Sequence, residues 1–95
     1  MAMIVGATRL VLRIDGARTL KDKRSVLSSL ITRTRARYQL AVAEVDDMDR
    51  PQDAVVGLAA VGNEWRHVES TLNAAIRYIG GNFPVDIVDQ VTERL

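Results

Sequence analysis

The period of the hydrophobic pattern changes repeatedly along the chain, and this order constrains the fold more than any other feature. Alternating residues from Met3 to Asp15 predict a long strand with two distinct faces. A second strand is predicted from Gln39 to Val45 and a last one from Pro84 to Thr92. The run from Ala54 to Gly62 is apolar on both faces, as is typical of a central strand.

Two segments between these strands have helical spacing instead. Leu20 to Arg37 is predicted as a helix of about five turns, with Thr19 as N-cap and Asp22 completing a capping box. Asn63 is the expected cap of a second helix, which Gly80-Gly81 is expected to end.

The resulting order, β-α-β-β-α-β, predicts an α+β, ferredoxin-like fold with a four-stranded antiparallel sheet. Right-handed crossovers place strands one and three in the middle and both helices on one face of the sheet. Ninety-five residues are enough for a single domain, which we expect to span residues 1–95.

The sheet face without helices is also predicted to be apolar. Strand three is apolar on both sides, so one side stays uncovered beside Val5, Ala7 and Val11 of strand one. Soluble monomers seldom expose such a patch, which predicts a homodimer or larger homo-oligomer. A small patch tolerated by a monomer is the alternative.

Charge is unevenly distributed along the sequence. Residues 1–37 carry nine Lys or Arg against Asp15 and Asp22, a net charge of +7, and the remainder carries −6. This asymmetry favours a polyanionic partner or self-association of a basic with an acidic face. Alternatively, the two halves interleave in the fold and their charges mix.

The segment from Ala17 to Arg24 is the most unusual part of the basic half. Cations in the first turn of a helix oppose its dipole, which suggests an anionic partner. Lys23 lies on the apolar stripe, and we expect its side chain to reach out into solvent. The candidate residues for binding phosphate or nucleic acid are Arg18, Lys21, Lys23, Arg24, Arg33, Arg35 and Arg37. The alternative is a solvated amphipathic helix whose arginine stems cover the core.

The remaining chemical groups offer little for catalysis. The chain lacks cysteine and the common nucleophile, metalloprotease, Walker and dinucleotide-binding motifs. His67 is the only histidine, and the acidic run after Val45 does not match an EF-hand. Arg18 and Asn63 invite comparison with acylphosphatase, although the glycine-rich loop of that family is missing. We therefore expect no enzymatic activity, no catalytic residues, no metal site and no cofactor.

The aromatic residues and the termini complete the sequence-based expectations. Tyr38, Trp65, Tyr78 and Phe83 all lie outside strands one and three, which disfavours base stacking on the sheet. The first residues lack a basic leader and no apolar run is long enough to span a membrane. These features favour a cytoplasmic protein that does not associate with membranes.

The chain resembles the YlxP-like proteins, a bacterial domain family of unknown function, over nearly its whole length. The segments that carry the resemblance are Met3–Gly6, Ala17–Arg24, Val42–Asp46, Ala60–Asn63 and Asn82-Phe83. Arg18 to Arg24 contains the most specific element, Thr-Leu-Lys-Asp-Lys-Arg.

This sequence departs from the family at two places. Met48, Arg50 and Pro51 stand in a loop that usually contains Trp, and Gln39 stands where Asn is common.

The resemblance implies a ferredoxin-like fold and no established catalysis. It also implies a translation-related gene neighbourhood, beside genes for an initiation factor and a ribosome-binding factor. By position it singles out Lys21, Lys23 and Arg24. The leading hypothesis is a non-enzymatic factor that associates with structured or ribosomal RNA. A protein-interaction or homo-oligomeric module is the second hypothesis, and a phosphate-handling enzyme is a remote third.

Overall fold

A computed structural model describes residues 2–95 and shows the predicted order of elements. The strands are β1 (Ile4–Ile14), β2 (Ala41–Asp46), β3 (Asp53–Gly62) and β4 (Val85–Arg94), and the helices are α1 (Leu20–Tyr38) and α2 (Trp65–Asn82). The sheet order is β2-β3-β1-β4 with antiparallel pairing throughout, so β1 and β3 are central as predicted. The ferredoxin-like α+β fold is confirmed.

Both helices pack on the same face of the sheet, over the larger apolar side chains. Leu10 and Leu12 of β1 and Leu58 of β3 are almost fully buried there. Gly6 lets α2 approach β1 closely, because a Cβ atom at this position would lie 2.8 Å from Val68 and 2.9 Å from Trp65. The core therefore lies between the two central strands and α2, with α1 closing the side above β2.

The predicted end of the second helix is wrong. α2 continues through Gly80 and Gly81 to Asn82, and Phe83 is extended before Pro84. The proline supplies the stop, because it disfavours the helical conformation of the residue before it. Gly80 is accounted for by packing instead: a Cβ atom there would lie 3.2 Å from Ile87 of β4.

Two further helix boundaries differ from the sequence-based expectation. Glu64, not Asn63, is the N-cap of α2, and its side chain makes no capping hydrogen bond. At the other helix, α1 extends one residue beyond Arg37, and Gln39 adopts a left-handed conformation with φ of 52°. Strand β2 consequently begins at Ala41, since a left-handed residue cannot continue into an extended strand.

Neither helix in the described part of the chain combines the length and apolar character required for a membrane span.

Candidate nucleic-acid interface

The start of α1 has the capping box predicted from the sequence. The Asp22 N–H donates to the Thr19 hydroxyl at 3.1 Å, while the Asp22 carboxylate accepts the N–H groups of Arg18 at 3.0 Å and Thr19 at 3.2 Å. These hydrogen bonds, above all that from Arg18, lower the pKa of Asp22. A carboxylate within the chain thus supplies part of the negative charge that the helix N-terminus favours.

Lys23 is buried, and the prediction that its side chain reaches solvent is wrong. Its side chain is only 2% exposed, with Nζ 2.8 Å from the Glu44 carboxylate. Nζ also donates a hydrogen bond of 2.6 Å to the Asp47 carbonyl. Because β2 supplies a carboxylate and the loop after it supplies a carbonyl acceptor, the ammonium group is paired and hydrogen-bonded beneath the helix. Lys23 therefore cannot contact a ligand on the outer surface.

Three other cations at the start of α1 remain exposed. Within residues 2–95, no carboxylate lies within 4.0 Å of the charged groups of Arg18, Lys21 or Arg24. Exposed hydroxyl groups of Ser25 and Ser28 accompany them on the same helix. We call Arg18, Lys21 and Arg24 the N-terminal basic cluster.

Arg35 has a structural contact that sequence reasoning did not reveal. Its Nε and Nη2 donate to the Val42 carbonyl at 3.1 and 2.7 Å, which ties the second half of α1 to β2. β2 is an edge strand of the sheet, and such strands are commonly protected by charged side chains. Two of the Arg35 guanidinium nitrogens therefore already donate hydrogen bonds within the protein.

Arg33 and Arg37 lie against aromatic rings near the junction of the two helices. The Arg33 guanidinium carbon is 4.8 Å from the ring centre of Phe83 and 6.0 Å from that of Tyr78. That of Arg37 is 5.1 Å from Tyr78 and 5.7 Å from Tyr38. We call these five residues the arginine–aromatic cluster.

The three rings of this cluster also contact one another. Tyr78 makes edge-to-face contacts with Tyr38 and Phe83, at centroid distances of 5.6 and 5.7 Å. The Arg37 Nε donates to the Tyr38 hydroxyl at 3.3 Å, and this hydrogen bond raises the pKa of Arg37 above its ordinary value. Sequence analysis missed the cluster, since only the packing of α1 on α2 brings Tyr78 to the arginines.

Three of the ten acidic residues of the second half pair with cations of the first half. Besides the Glu44–Lys23 pair, Asp46 lies 3.5 Å from Arg9 and Asp53 lies 3.7 Å from Arg13. The alternative in which the two halves interleave and their charges mix is therefore confirmed for these three pairs. Over residues 2–95, no three His, Cys, Asp or Glu side chains are grouped to hold a metal ion.

Arg18 and Asn63, the pair compared with acylphosphatase, lie at opposite ends of the sheet. Arg18 follows the end of β1, whereas Asn63 follows the end of β3 that pairs with the start of β1, Gly62 facing Ile4. The length of β1 separates these ends by about 30 Å. The two side chains therefore cannot hold one phosphate group together.

The helix-free face of the sheet contains a shallow groove of about 640 Å³. Small apolar residues of β1, β2 and β3 form much of its lining, and Arg9, Arg35 and Glu93 line it as well. Val45 and Val91 contribute larger apolar surface and are 51% and 50% exposed. The prediction of an apolar open face is confirmed.

Comparison with known proteins gives one family and one fold. Residues 5–92 match the model of a family described as "Protein of unknown function (DUF503)". The uncharacterized protein YlxP of Bacillus subtilis (strain 168) is 31% identical over 71 residues, which cover 75% of this chain and 76% of YlxP. Among solved structures, the de novo designed protein Foldit4 matches with a TM-score of 0.51 and 14% identity over 96% of each chain, a similarity of fold alone.

Proposed function

This chain belongs to the DUF503 family of proteins of unknown function, as its resemblance to YlxP-like proteins predicted, and on that premise we propose that it is a non-enzymatic RNA-associated factor. The proposed ligand is the phosphate backbone of structured RNA, such as ribosomal RNA, and α1 is the proposed contact surface. Binding is electrostatic and tolerant of sequence.

One observation carries this proposal: three exposed cations at the start of α1 have no carboxylate partner within residues 2–95, whereas the two arginines of β1 are each paired. Arg9 and Arg13 on β1 each have a carboxylate within 4.0 Å, but the N-terminal basic cluster has none in residues 2–95. Unpaired cations on one helix form a surface that neutralises phosphates and releases their counterions. Lys23, which the resemblance singled out, supports this surface from beneath and makes no ligand contact.

The positions of the aromatic residues support backbone binding over base readout. Tyr38 belongs to α1, Trp65 and Tyr78 belong to α2, and Phe83 lies in the connection to β4. None is available on β1 or β3, where the sheet of an RNA-recognition motif stacks bases.

The test is the salt dependence of binding to a fluorescently labelled ribosomal RNA hairpin. We expect the triple change Arg18→Ala, Lys21→Ala, Arg24→Ala to weaken binding and to reduce the slope of log affinity against log salt by about three. The effect should be similar for hairpins of unrelated sequence, because phosphates carry no base information.

A matched control removes the same charge elsewhere. Arg66→Ala and Arg77→Ala lie on α2, and Arg94→Ala lies at the end of β4, all three exposed and outside both proposed surfaces. The control variant should keep most of the natural slope of log affinity against log salt. Equal loss in both triple variants would contradict the role of α1, and absence of any binding by the natural sequence would refute the function itself.

The groove on the open face favours a second function, self-association. Its floor is apolar, and the same face carries Arg9 and Arg13 on β1 beside Asp89 and Glu93 on β4. Cations and carboxylates in neighbouring rows can pair reciprocally when two copies meet face to face about a twofold axis. The proposed occupant of the groove is therefore a second copy of this chain.

Light scattering at micromolar concentration tests this second function. The natural sequence should give the mass of a dimer, and Ala59→Arg on the groove floor should give that of a monomer. A monomeric mass for the natural sequence would exclude self-association under those conditions.

A further inference from the structure

The two arginines of the arginine–aromatic cluster are close together despite their like charge. Arg33 and Arg37 are four residues apart on α1, a spacing at which like charges repel. Both guanidinium groups nevertheless lie near the single ring of Tyr78, at 6.0 and 5.1 Å from its centre. Attraction to the electron-rich ring faces compensates for part of this repulsion and fixes where the guanidinium planes lie.

The donors of these guanidinium groups are largely unused by the protein. Arg33 donates no side-chain hydrogen bond within the described residues, and Arg37 donates only to the Tyr38 hydroxyl. No carboxylate of residues 2–95 lies within 4.0 Å of either group. Contact through the ring faces leaves the N–H edges of a guanidinium free, and those edges are the part that binds anions.

We propose that the arginine–aromatic cluster is a discrete phosphate-binding site in which Arg33 and Arg37 hold one phosphate of the RNA chain through paired N–H donors. Tyr38, Tyr78 and Phe83 are positioning residues that orient the guanidinium planes. The inference rests on the proposed function and adds a geometric requirement to it. The N-terminal basic cluster acts through charge, whereas this site depends on the shape of the guanidinium group.

Arginine-to-lysine substitution separates shape from charge, because lysine keeps the charge and loses the planar fork of donors. In the same RNA hairpin assay, Arg33→Lys with Arg37→Lys should weaken binding about tenfold, the effect of losing one charge-assisted hydrogen bond. The salt slope should change little, since the number of cations is unchanged.

The matched control makes the same replacement at two exposed arginines outside both basic clusters. Arg66→Lys with Arg94→Lys should leave the affinity within about twofold, because neither residue belongs to a proposed phosphate contact and the charge is kept. Tyr78→Leu should weaken binding while both arginines remain, which tests the positioning role of the ring. If the lysine variants at 33 and 37 bind like the natural sequence, the site is refuted while α1 can still bind RNA.

A direct measurement covers the case in which no RNA binding is found. Titration with inorganic phosphate, followed by NMR of the arginine Nε–H groups, should shift the signals of Arg33 and Arg37 before those of Arg18 and Arg24. Chloride at matched ionic strength should not reproduce the shift. Equal shifts at all four arginines would show general ionic attraction and overturn the proposal of a discrete site.

Discussion

The inner and outer sides of α1 carry cations in opposite surroundings. On the inner side, Lys23 is 2% exposed between the Glu44 carboxylate and the Asp47 carbonyl, in line with buried Leu27 and Leu30. On the outer side, Lys21 and Arg24 are exposed and have no carboxylate within 4.0 Å in residues 2–95.

This difference shows that three neighbouring cations in one segment have two separate roles. Lys23 joins α1 to β2 and the loop after it, and it holds the helix against the sheet. Lys21 and Arg24 have no ion pair within residues 2–95, and we expect them to contribute little to folding. The following predictions test this division, from the largest expected effect on stability to the smallest.

Lys23→Ala should destabilise the protein by about 3 kcal/mol, because it leaves the Glu44 carboxylate without its partner. This is the lower end of the usual range, since the Glu44 side chain is 23% exposed. Urea denaturation measures the loss. The double change Lys23→Met, Glu44→Leu, which keeps the side-chain volume and removes both charges, should recover most of it. An equal loss in the double variant would mean that the ion pair and the hydrogen bond to the Asp47 carbonyl stabilise the protein by themselves.

Thr34→Val should stabilise the protein by about 1 kcal/mol. Thr34 is fully buried on the inner side, and its hydroxyl has no hydrogen-bond partner. Replacing it with a methyl group of similar size removes the cost of a buried, unsatisfied polar group. The gain appears as a higher denaturation midpoint with an unchanged m-value. A loss of stability would indicate that the hydroxyl is satisfied by bound water.

Thr19→Ala should destabilise the protein by about 1 kcal/mol, because the N–H of Asp22 loses its acceptor at the helix start. The control is Ser25→Ala, an exposed hydroxyl within the same helix that makes no capping bond. Similar losses in both variants would argue against a specific capping role for Thr19.

The Asp22 carboxylate gives this helix start a pH dependence. Its pKa is lower in the folded chain, so its stabilising contribution is present at neutral pH and is lost as the pH falls below about 4. The stability difference between the natural sequence and Asp22→Asn should shrink in that acidic range. A difference that does not vary with pH would indicate that the charge of Asp22 is irrelevant.

Lys21→Ala with Arg24→Ala should change stability by less than about 0.5 kcal/mol. These side chains have no ion-pair partner to lose, and removing cations from the first turn relieves their conflict with the helix dipole. The measurement is the thermal unfolding midpoint of this double variant, compared with that of Lys23→Ala and of the natural sequence. A large loss would mean that the outer cations also hold the helix in place.

Hydrophobic periodicity was sufficient to predict most of the architecture. The alternation along β1, the doubly apolar β3 and the two helical segments, combined with right-handed crossovers, predicted the strand order and the placement of both helices on one face. The sequence did not indicate which face that is. The capping box of Thr19 and Asp22 was predictable because all its atoms lie within one turn. The end of α2 was predicted wrongly, because Gly80 was interpreted as a helix stop. The structure explains this glycine by the close approach of Ile87 from β4 instead.

The sequence by itself determined which residues are cations, which helix carries them and which strands form the sheet, because charge and periodicity are local properties. Only the tertiary structure decided what each cation does. The partners that distinguish Lys23 from Lys21 lie on β2 and the following loop, and the rings that hold Arg33 and Arg37 include Tyr78 and Phe83, far along the chain. Burial and pairing depend on these distant contacts, and the spacing within one helix cannot specify them.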